Sequence, residues 1–319
     1  MTDWTPSIIN ALQILHDEEK SAKQTFKARA YSTVIDNIKA LGKPVTCMAD
    51  LVGVKGIGEK IRAKIEEIFA TGTLKRAVRV VNDPISKAKR ELATVWGIGP
   101  AKAAELVAGD ILSVDELVLA SAENPDLLTT NQKIGLKYYW DFAARIPRDE
   151  MHKHNRVISD AVAKITGGKM SAIIVGSYRR GAADSGDIDV LMHPFENVTL
   201  AGQTSYFNKI IEHLQSEKYI VANLAQGQKK FMGACLLDGQ RCRRLDMLLT
   251  NSTEFPMALL YFTGSQAFNI RCRTRALEIG YTLNEYSLTP LQGGAKINFL
   301  DEKSVLDFLG IGWVEPTDR

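Results

Sequence analysis

The 319-residue chain has only four cysteines, Cys47, Cys235, Cys242 and Cys272. Their irregular spacing offers neither a disulfide framework nor a zinc site and predicts free thiols in a reducing compartment. No apolar run approaches the roughly 18 residues of a membrane helix. The opening MTDWTPSIINALQILHDEEK lacks the basic flank and small-residue cleavage site of a secretory signal, so the expected location is intracellular. Glycine and proline, at 24 and 10 residues, stay near ordinary usage, which excludes fibrous and low-complexity classes. Histidine is scarce: five residues, at 16, 152, 154, 193 and 213, show no metal-ligand spacing and are expected on the surface. What remains is a 45% hydrophobic, 24% charged globular chain, large enough for several packed units.

The net charge of +3 hides a pattern. Residues 1–82 carry +4, residues 83–145 carry −2, residues 146–252 carry +3 and residues 253–319 carry −2. Two basic blocks fit contact with a polyanion, because phosphate binding depends on clustered cations more than on total charge. Hydrophobic spacing gives the same segmentation. Ile8, Ile9, Leu12 and Leu15 recur at helical intervals, as do Ile61, Ile65, Ile68 and Phe69, and Pro44 is the only proline between residues 7 and 83. Asn82-Asp83-Pro84 breaks that helical block, and a second one follows. From residue 171 the period changes to two: SAIIV, DIDVLM and RRLDMLL read as strands, with the helical SYFNKIIEHLQSEKY between the last two. Beyond Glu254, a helix (FNIRCRTRALEIG), the strands YTLN and SLTPL and a Gly293-Gly294 turn form a small α/β cap. The fold class is therefore α+β. Phe26, Trp96 and Trp313 are expected in the core.

Two segments echo each other 41 residues apart, Val54-Lys55-Gly56-Ile57-Gly58 and Val95-Trp96-Gly97-Ile98-Gly99, each at the entrance of a helix. Paired glycines permit a tight turn, and the free NH groups of a helix start attract a phosphate oxygen. This is the helix-hairpin-helix pattern, in two copies rather than the three or more of a solenoid.

The richest chemistry lies in Gly176-Ser177-Tyr178-Arg179-Arg180-Gly181 followed by Gly186-Asp187-Ile188-Asp189. A strand ends in Gly-Ser, and the next opens with Asp-x-Asp, whose period of two puts both carboxylates on one face. Such a pair repels itself unless it holds cations, and hard oxygen ligands suit Mg²⁺. Asp246, on another strand, would complete a trio able to serve two metal ions. Gly176 and Ser177 can offer NH and hydroxyl groups to a triphosphate, Arg180 can neutralise it, and Gly186 lets the chain pass close by.

GSYRRGAADSGDIDVLM, RCRRLDMLL, LLYFTGSQAFNIRCRTRALEIGYTLNEYSL and VEPTDR resemble the family X DNA polymerases, and the likeness covers nearly the whole chain. The resemblance implies an N-terminal all-helical lyase-like domain with the first hairpin (1–82) and a helical, fingers-like DNA-binding subdomain with the second (83–145). A mixed-sheet, nucleotidyltransferase-type palm (146–252) and a small α/β thumb that binds the nascent base pair (253–319) follow. It implies gap filling in base excision repair by nucleotidyl transfer with two Mg²⁺ ions, Mn²⁺ being able to substitute, and a monovalent cation at each hairpin. The partners would be a dNTP and gapped or nicked double-stranded DNA, with no membrane. With no long apolar seam in the sequence, the chain is expected to be a monomer; its location would be nuclear in a eukaryote and otherwise cytoplasm or virion.

Residue by residue, the resemblance implies that Asp187 and Asp189 bind both metals and Asp246 the catalytic one. Ser177, Arg180, Gly186 and Arg145 would hold the triphosphate. Tyr261, Phe262 and Gly264 would pack under the sugar and disfavour a 2′-hydroxyl. Asn269 and Arg273 would read the minor-groove edge of the nascent pair, Arg244 would meet the primer end, and Glu285 would support the closed thumb. Gly56, Gly58, Gly97 and Gly99 would contact DNA. Lys64 would be the lyase nucleophile, with Lys60 one helical turn away on the same face, and Lys27, Tyr31 and Lys60 would bind phosphate and orient the sugar. The chain departs from the family at Phe26, where histidine is usual, at Ala63, where an acid often neighbours the nucleophile, and at Gln266 and Ile270, where an acid and a lysine flank the nascent pair. A short loop is expected between Gly233 and Arg243. Two other readings use the same residues: a template-independent nucleotidyltransferase and a DNA-end-binding scaffold.

Overall fold

The computed structural model describes residues 2–195 and 198–319. It divides into two compact units, one ending at Lys137 and the next beginning at Tyr138. The first is built from α1 (Thr5–Ser21), α2 (Thr25–Ala40), α3 (Glu59–Thr71), α4 (Lys75–Asn82), α5 (Pro84–Leu92), α6 (Pro100–Ala108), α7 (Val114–Glu123) and α8 (Thr130–Lys137). Its core joins Ile8, Leu12 and Leu15 of α1 to Val34, Ile35 and Ile38 of α2 and Ile61, Ile65 and Ile68 of α3, all buried. These positions are the i, i+3, i+4 stripes that an amphipathic helix turns inward.

Phe26 is not in that core. It lies on the face of α2 opposite Ala28, Tyr31 and Ile35 and is 86% exposed. Trp313, also expected inside, is 40% exposed and stacks on the Arg319 guanidinium at 5.1 Å.

The sequence echo is a conformational echo. Gly56 and Gly97 have φ of +93° and +84°. Gly58 and Gly99, the residues capping α3 and α6, have φ/ψ of −82°/175° and −83°/173°. The first glycine of each pair needs the left-handed region, which only glycine enters without strain. The second is extended with open space where a side chain would be, so the NH groups of the helix start stay uncovered. Close backbone approach occurs elsewhere: a Cβ on Gly135 of α8 would stand 2.1 Å from the Trp96 carbonyl oxygen. Gly135→Ala is therefore expected to push α8 away from the second hairpin and to cost about 1–3 kcal/mol, read as a fall in the thermal midpoint.

The second unit holds α9 (Tyr139–Ala143), β1 (Ile146–Pro147), α10 (Arg148–Thr166), β2 (Met170–Ile174), α11 (Gly176–Arg179), β3 (Asp184–Ser185), β4 (Ile188–Pro194), α12 (Leu200–Ser216), β5 (Ile220–Gln226), β6 (Lys230–Cys235) and β7 (Arg243–Leu249). It ends with α13 (Phe255–Thr263), α14 (Gln266–Glu278), β8 (Tyr281–Leu283), β9 (Leu288–Pro290) and α15 (Glu302–Phe308). The main sheet runs β2-β4-β7-β6-β5, and its one parallel pairing is β4 with β7. One face, with Ile188, Val190, Met192, Leu245, Met247 and Leu249, is buried under α10 and α12. The other face carries Leu191 and Leu248 beneath α13, and the acids lie beyond that cover. Met257 of α13, Phe268 and Cys272 of α14, Leu288 of β9 and Val305 and Leu306 of α15 form the small core of the α/β cap.

Two strands, β5 and β6, occur where the sequence pattern had shown none. Gly233 lies inside β6, so the connection to β7 is residues 236–242, shorter still than expected. His154 is fully buried instead of on the surface. It falls on the stripe Met151, His154, Ile158, Ala161, Val162 that α10 turns to the sheet, and its Nδ1 meets the Tyr219 hydroxyl at 2.7 Å. Burial pushes its pKa down to about 4, which keeps the ring neutral at physiological pH.

Candidate active site

The parallel register sets Asp189 directly opposite Asp246. Adjacent strands lie about 4.8 Å apart, and the same-side alternation brings in Asp187, one residue before β4. One oxygen from each of the three carboxylates lies within 4.8 Å of the others. Arg244, two residues ahead of Asp246 on β7, approaches Asp187 Oδ2 at 2.9 Å and Asp246 Oδ2 at 3.1 Å through one nitrogen, Nη2.

Three acids and one shared guanidinium leave excess negative charge in a half-buried space. Burial first, then the charges of Asp187 and Asp246, push Asp189 up to about 7. Burial also raises Asp246, against the opposing pull of Arg244. Among the described residues, Asp246 Oδ1 has no hydrogen-bond partner although it is buried. An orphaned carboxylate oxygen among hard oxygen donors fits a divalent cation, which would relieve the repulsion and occupy that oxygen. The donor set therefore suits the Mg²⁺ expected from the sequence.

Gly176 is fixed by this site. The chain leaves β2 with the Val175 NH bonded to the Asp189 carbonyl at 2.9 Å, and Gly176 turns with φ +58°. A Cβ there would stand 2.7 Å from Asp189 Oδ2 and displace the carboxylate. Ser177 follows, its hydroxyl donating to Ser185 Oγ at 2.9 Å. Arg180 donates to the Thr263 carbonyl at 2.6 Å, tying this turn to the end of α13. Gly186 lies close beneath Arg145, where a Cβ would meet Nη1 at 3.1 Å. Arg145 is itself paired with Asp184 at 2.6 Å.

Tyr261 and Phe262 contact edge to face at 5.0 Å near the end of α13. Gly264 follows in the left-handed region, before a cis peptide bond to Ser265. Asn269 donates to the Tyr261 carbonyl at 2.7 Å, and the Arg273 guanidinium lies 5.0 Å above the Tyr261 ring. Glu285 lies, half-buried, in the turn between β8 and β9. Tyr261, Asn269 and Arg273 thus form one cluster, and Asp187, Asp189, Asp246 and Arg244 form another.

In the first unit, Lys64 Nζ donates to the Lys60 carbonyl at 2.9 Å. Burial, followed by the positive charges of Arg76 and Lys60, holds the Lys64 amine below the ordinary lysine range. Tyr31 is buried, which raises its phenol, with the Arg76 charge opposing that rise. Lys27 approaches the buried Glu19 at 3.6 Å. Both hairpins lie in this unit: Asn37 holds the first by donating to the Lys55 carbonyl at 2.9 Å, and Gln132 the second by donating to the Gly97 carbonyl at 3.0 Å.

Three groups at these sites had escaped the sequence. Arg76 Nη2 bridges Glu18 and Glu19 at 2.8 Å each, and so stands fixed near Lys64. Lys230 of β6 lines a small cavity with Asp189, Asp246 and Phe262. Arg179 binds both oxygens of the buried Glu302, which also pairs with Arg319. Contacts between residues tens of positions apart leave no spacing signal. A lone lysine opening a strand gives no signal either.

Family models match in chain order. A helix-hairpin-helix domain covers residues 4–74, the fingers domain of DNA polymerase lambda 90–143, the DNA polymerase beta palm 145–252 and the DNA polymerase beta thumb 258–319. Among curated relatives, the DNA polymerase lambda of Rattus norvegicus is 29% identical over 337 aligned positions, which take in all of this chain and 56% of the rat protein. The DNA polymerase lambda of Arabidopsis thaliana is 28% identical over 343 positions, with all of this chain and 61% of the plant protein covered. The chain thus spans a little over half the length of the relatives it matches.

Proposed function

Because the chain belongs to family X of the DNA polymerases, we propose that it fills short gaps in duplex DNA during base excision repair and removes a 5′-deoxyribose phosphate through Lys64. One observation carries the polymerase reading: Asp189 and Asp246 face each other in register, with Asp187 completing a trio of oxygens within 4.8 Å.

In the polymerase reaction the primer 3′-oxygen attacks the α-phosphorus of a dNTP and pyrophosphate leaves. Asp187 and Asp189 would hold two divalent ions and Asp246 one of them. When bound, such ions lower the pKa of a coordinated hydroxyl and neutralise phosphate charge. The rest falls to the chain. Ser177 and Arg180, on the turn set against Asp189, hold the triphosphate, with Gly186 and Arg145 beside them. Arg244 would meet the primer end, at the cost of its bonds to Asp187 and Asp246. The end of α13, with Tyr261, Phe262 and Gly264, lies under the sugar and excludes a 2′-hydroxyl. Asn269 and Arg273 test the minor-groove edge, where acceptors occupy similar places in every Watson–Crick pair. The hairpin glycines Gly56 and Gly58, and Gly97 and Gly99, leave helix-start NH groups open to backbone phosphates, and each of the two hairpins would hold one monovalent cation.

In the lyase reaction the neutral Lys64 amine attacks the sugar C1′ aldehyde, water leaves, and an imine forms. Loss of a C2′ proton then breaks the C3′–O bond, releasing the downstream strand with its 5′-phosphate, and hydrolysis of the imine frees the lysine. Lys27, Lys60 and Tyr31 bind the phosphate and orient the sugar.

A one-nucleotide gapped duplex carrying a 5′-deoxyribose phosphate tests both activities in Mg²⁺ or Mn²⁺. Templated insertion and a borohydride-trapped adduct are expected; a wild-type chain that extends no primer overturns the polymerase reading. Untemplated addition to single-stranded DNA would favour a template-independent transferase instead.

A further inference from the structure

The short helix α9 presents Trp140, which is 57% exposed, with Tyr139 set edge-on against it at 4.4 Å. Exposing a ring of this size leaves apolar area in water that folding ordinarily covers. The helix is nevertheless held in place. Asp141 Oδ2 accepts the Cys242 NH at 3.3 Å, and the Ala144 carbonyl accepts Arg243 Nη1 at 2.9 Å. Arg243 is in turn clamped by the buried Glu150 at 2.7 and 2.9 Å. The aromatic pair is thus fixed to the start of β7, the strand that carries Arg244 and Asp246.

Distances along that strand decide what would cover the pair. Cys242 precedes Asp246 by four residues, about 14 Å at strand rise, and a nucleic-acid strand advances about 3.4 Å per nucleotide. Along the strand the half-exposed Arg244 lies between that anchor and the acids, and the exposed Arg241 lies one residue beyond the anchor, two cations suited to phosphates of one strand. A primer with its 3′ end at Asp246 and its phosphates along Arg244 and Arg241 would reach Trp140 about four nucleotides back from its end. In a duplex the bases are stacked on one another, so the surface open to an indole there is the deoxyribose edge.

We propose that Trp140, backed by Tyr139, is a binding contact for the primer strand, packing against its sugars about three to five nucleotides behind the 3′ terminus. The proposal rests on the polymerase reading, which supplies the position of the primer end. Trp140 touches no reacting atom, so it governs affinity for DNA and leaves the insertion step alone.

The test is a cycle between protein and DNA. Affinity of wild type, Trp140→Ala and Trp140→Phe is measured by fluorescence anisotropy on a one-nucleotide gapped duplex. The measurement is repeated with propyl linkers replacing the sugars at primer nucleotides three to five, and with the same linkers ten nucleotides back. Trp140→Ala is expected to bind the ordinary duplex about tenfold more weakly, the loss of part of one ring's apolar burial, Trp140→Phe to recover most of that loss, and the thermal midpoint and the insertion rate at saturating DNA to stay unchanged. The tenfold gap should vanish on the proximal-linker duplex and persist on the distal one. Equal affinities on ordinary DNA, or an equal gap on all three duplexes, overturn the proposal while leaving gap filling intact. A wild-type chain that neither binds nor fills the gap removes the polymerase reading and this contact with it.

Discussion

Asp246→Asn is expected to lower single-turnover gap filling by about three orders of magnitude while leaving the fold intact or more stable. Asparagine keeps the shape of the side chain and can still accept from Arg244, so packing on β7 is preserved. What disappears is one of three negative charges whose oxygens lie within 4.8 Å of one another. Burial and the charges of Asp187 and Asp246 drive Asp189 up to about 7, so the wild-type site is strained by like charge. Neutralising one member relieves that strain, and the thermal midpoint should hold or rise as activity falls, the trade expected where a site is kept for function at the expense of stability. Rapid-quench insertion kinetics and calorimetry on the same preparation check both halves. Activity within tenfold of wild type would mean that Asp246 does not serve the reaction.

Lys64→Ala should abolish the borohydride-trapped adduct, and Arg76→Ala should move the pH dependence of trapping. Burial comes first and the charges of Arg76 and Lys60 next in holding the Lys64 amine below its ordinary range, so a larger share of it is neutral at a given pH. Removing Arg76 takes away a depressing charge. It also leaves Glu19 and Glu18 without the guanidinium each binds at 2.8 Å, and Glu19 pulls the amine upward. Both changes act in one direction. The midpoint of trapping against pH should shift to higher pH, with a loss near neutrality that closes as the solution becomes alkaline. Arg76→Lys, which retains the charge, should keep most of the wild-type profile. An unchanged midpoint, or one shifted to lower pH, would contradict this placement of Arg76.

Local pattern carried much of this protein. The period of two in Asp187-x-Asp189 placed two carboxylates on one face, and the repeated Gly-Ile-Gly turns announced two hairpins whose backbone angles agree within a few degrees at the capping glycine. The trio as a whole was not legible from spacing. Asp246 stands beside Asp189 only because β4 and β7 pair in parallel and in register, and that register lies 57 residues away in sequence. The strand-like run RRLDMLL made Asp246 a candidate third acid, and the family resemblance then assigned it the catalytic metal. Strand β6 escaped because KFMGAC has no β-branched residue and a glycine at its centre. His154 escaped because residue type alone points histidine to the surface. Its position three residues after Met151 and four before Ile158 puts it on the buried stripe of α10. Phe26 failed the opposite way, an apolar residue off the stripe of its own helix.

The central claim is that Asp187, Asp189 and Asp246 together hold two divalent ions against a nucleotide triphosphate. Its most direct measurement is electron paramagnetic resonance of Mn²⁺ bound to the complex of the chain with dideoxy-terminated gapped DNA and a matched dNTP. Two magnetically coupled ions per chain are expected, falling to at most one in Asp189→Ala. A single uncoupled ion in the wild type, or an undiminished pair in Asp189→Ala, would contradict it.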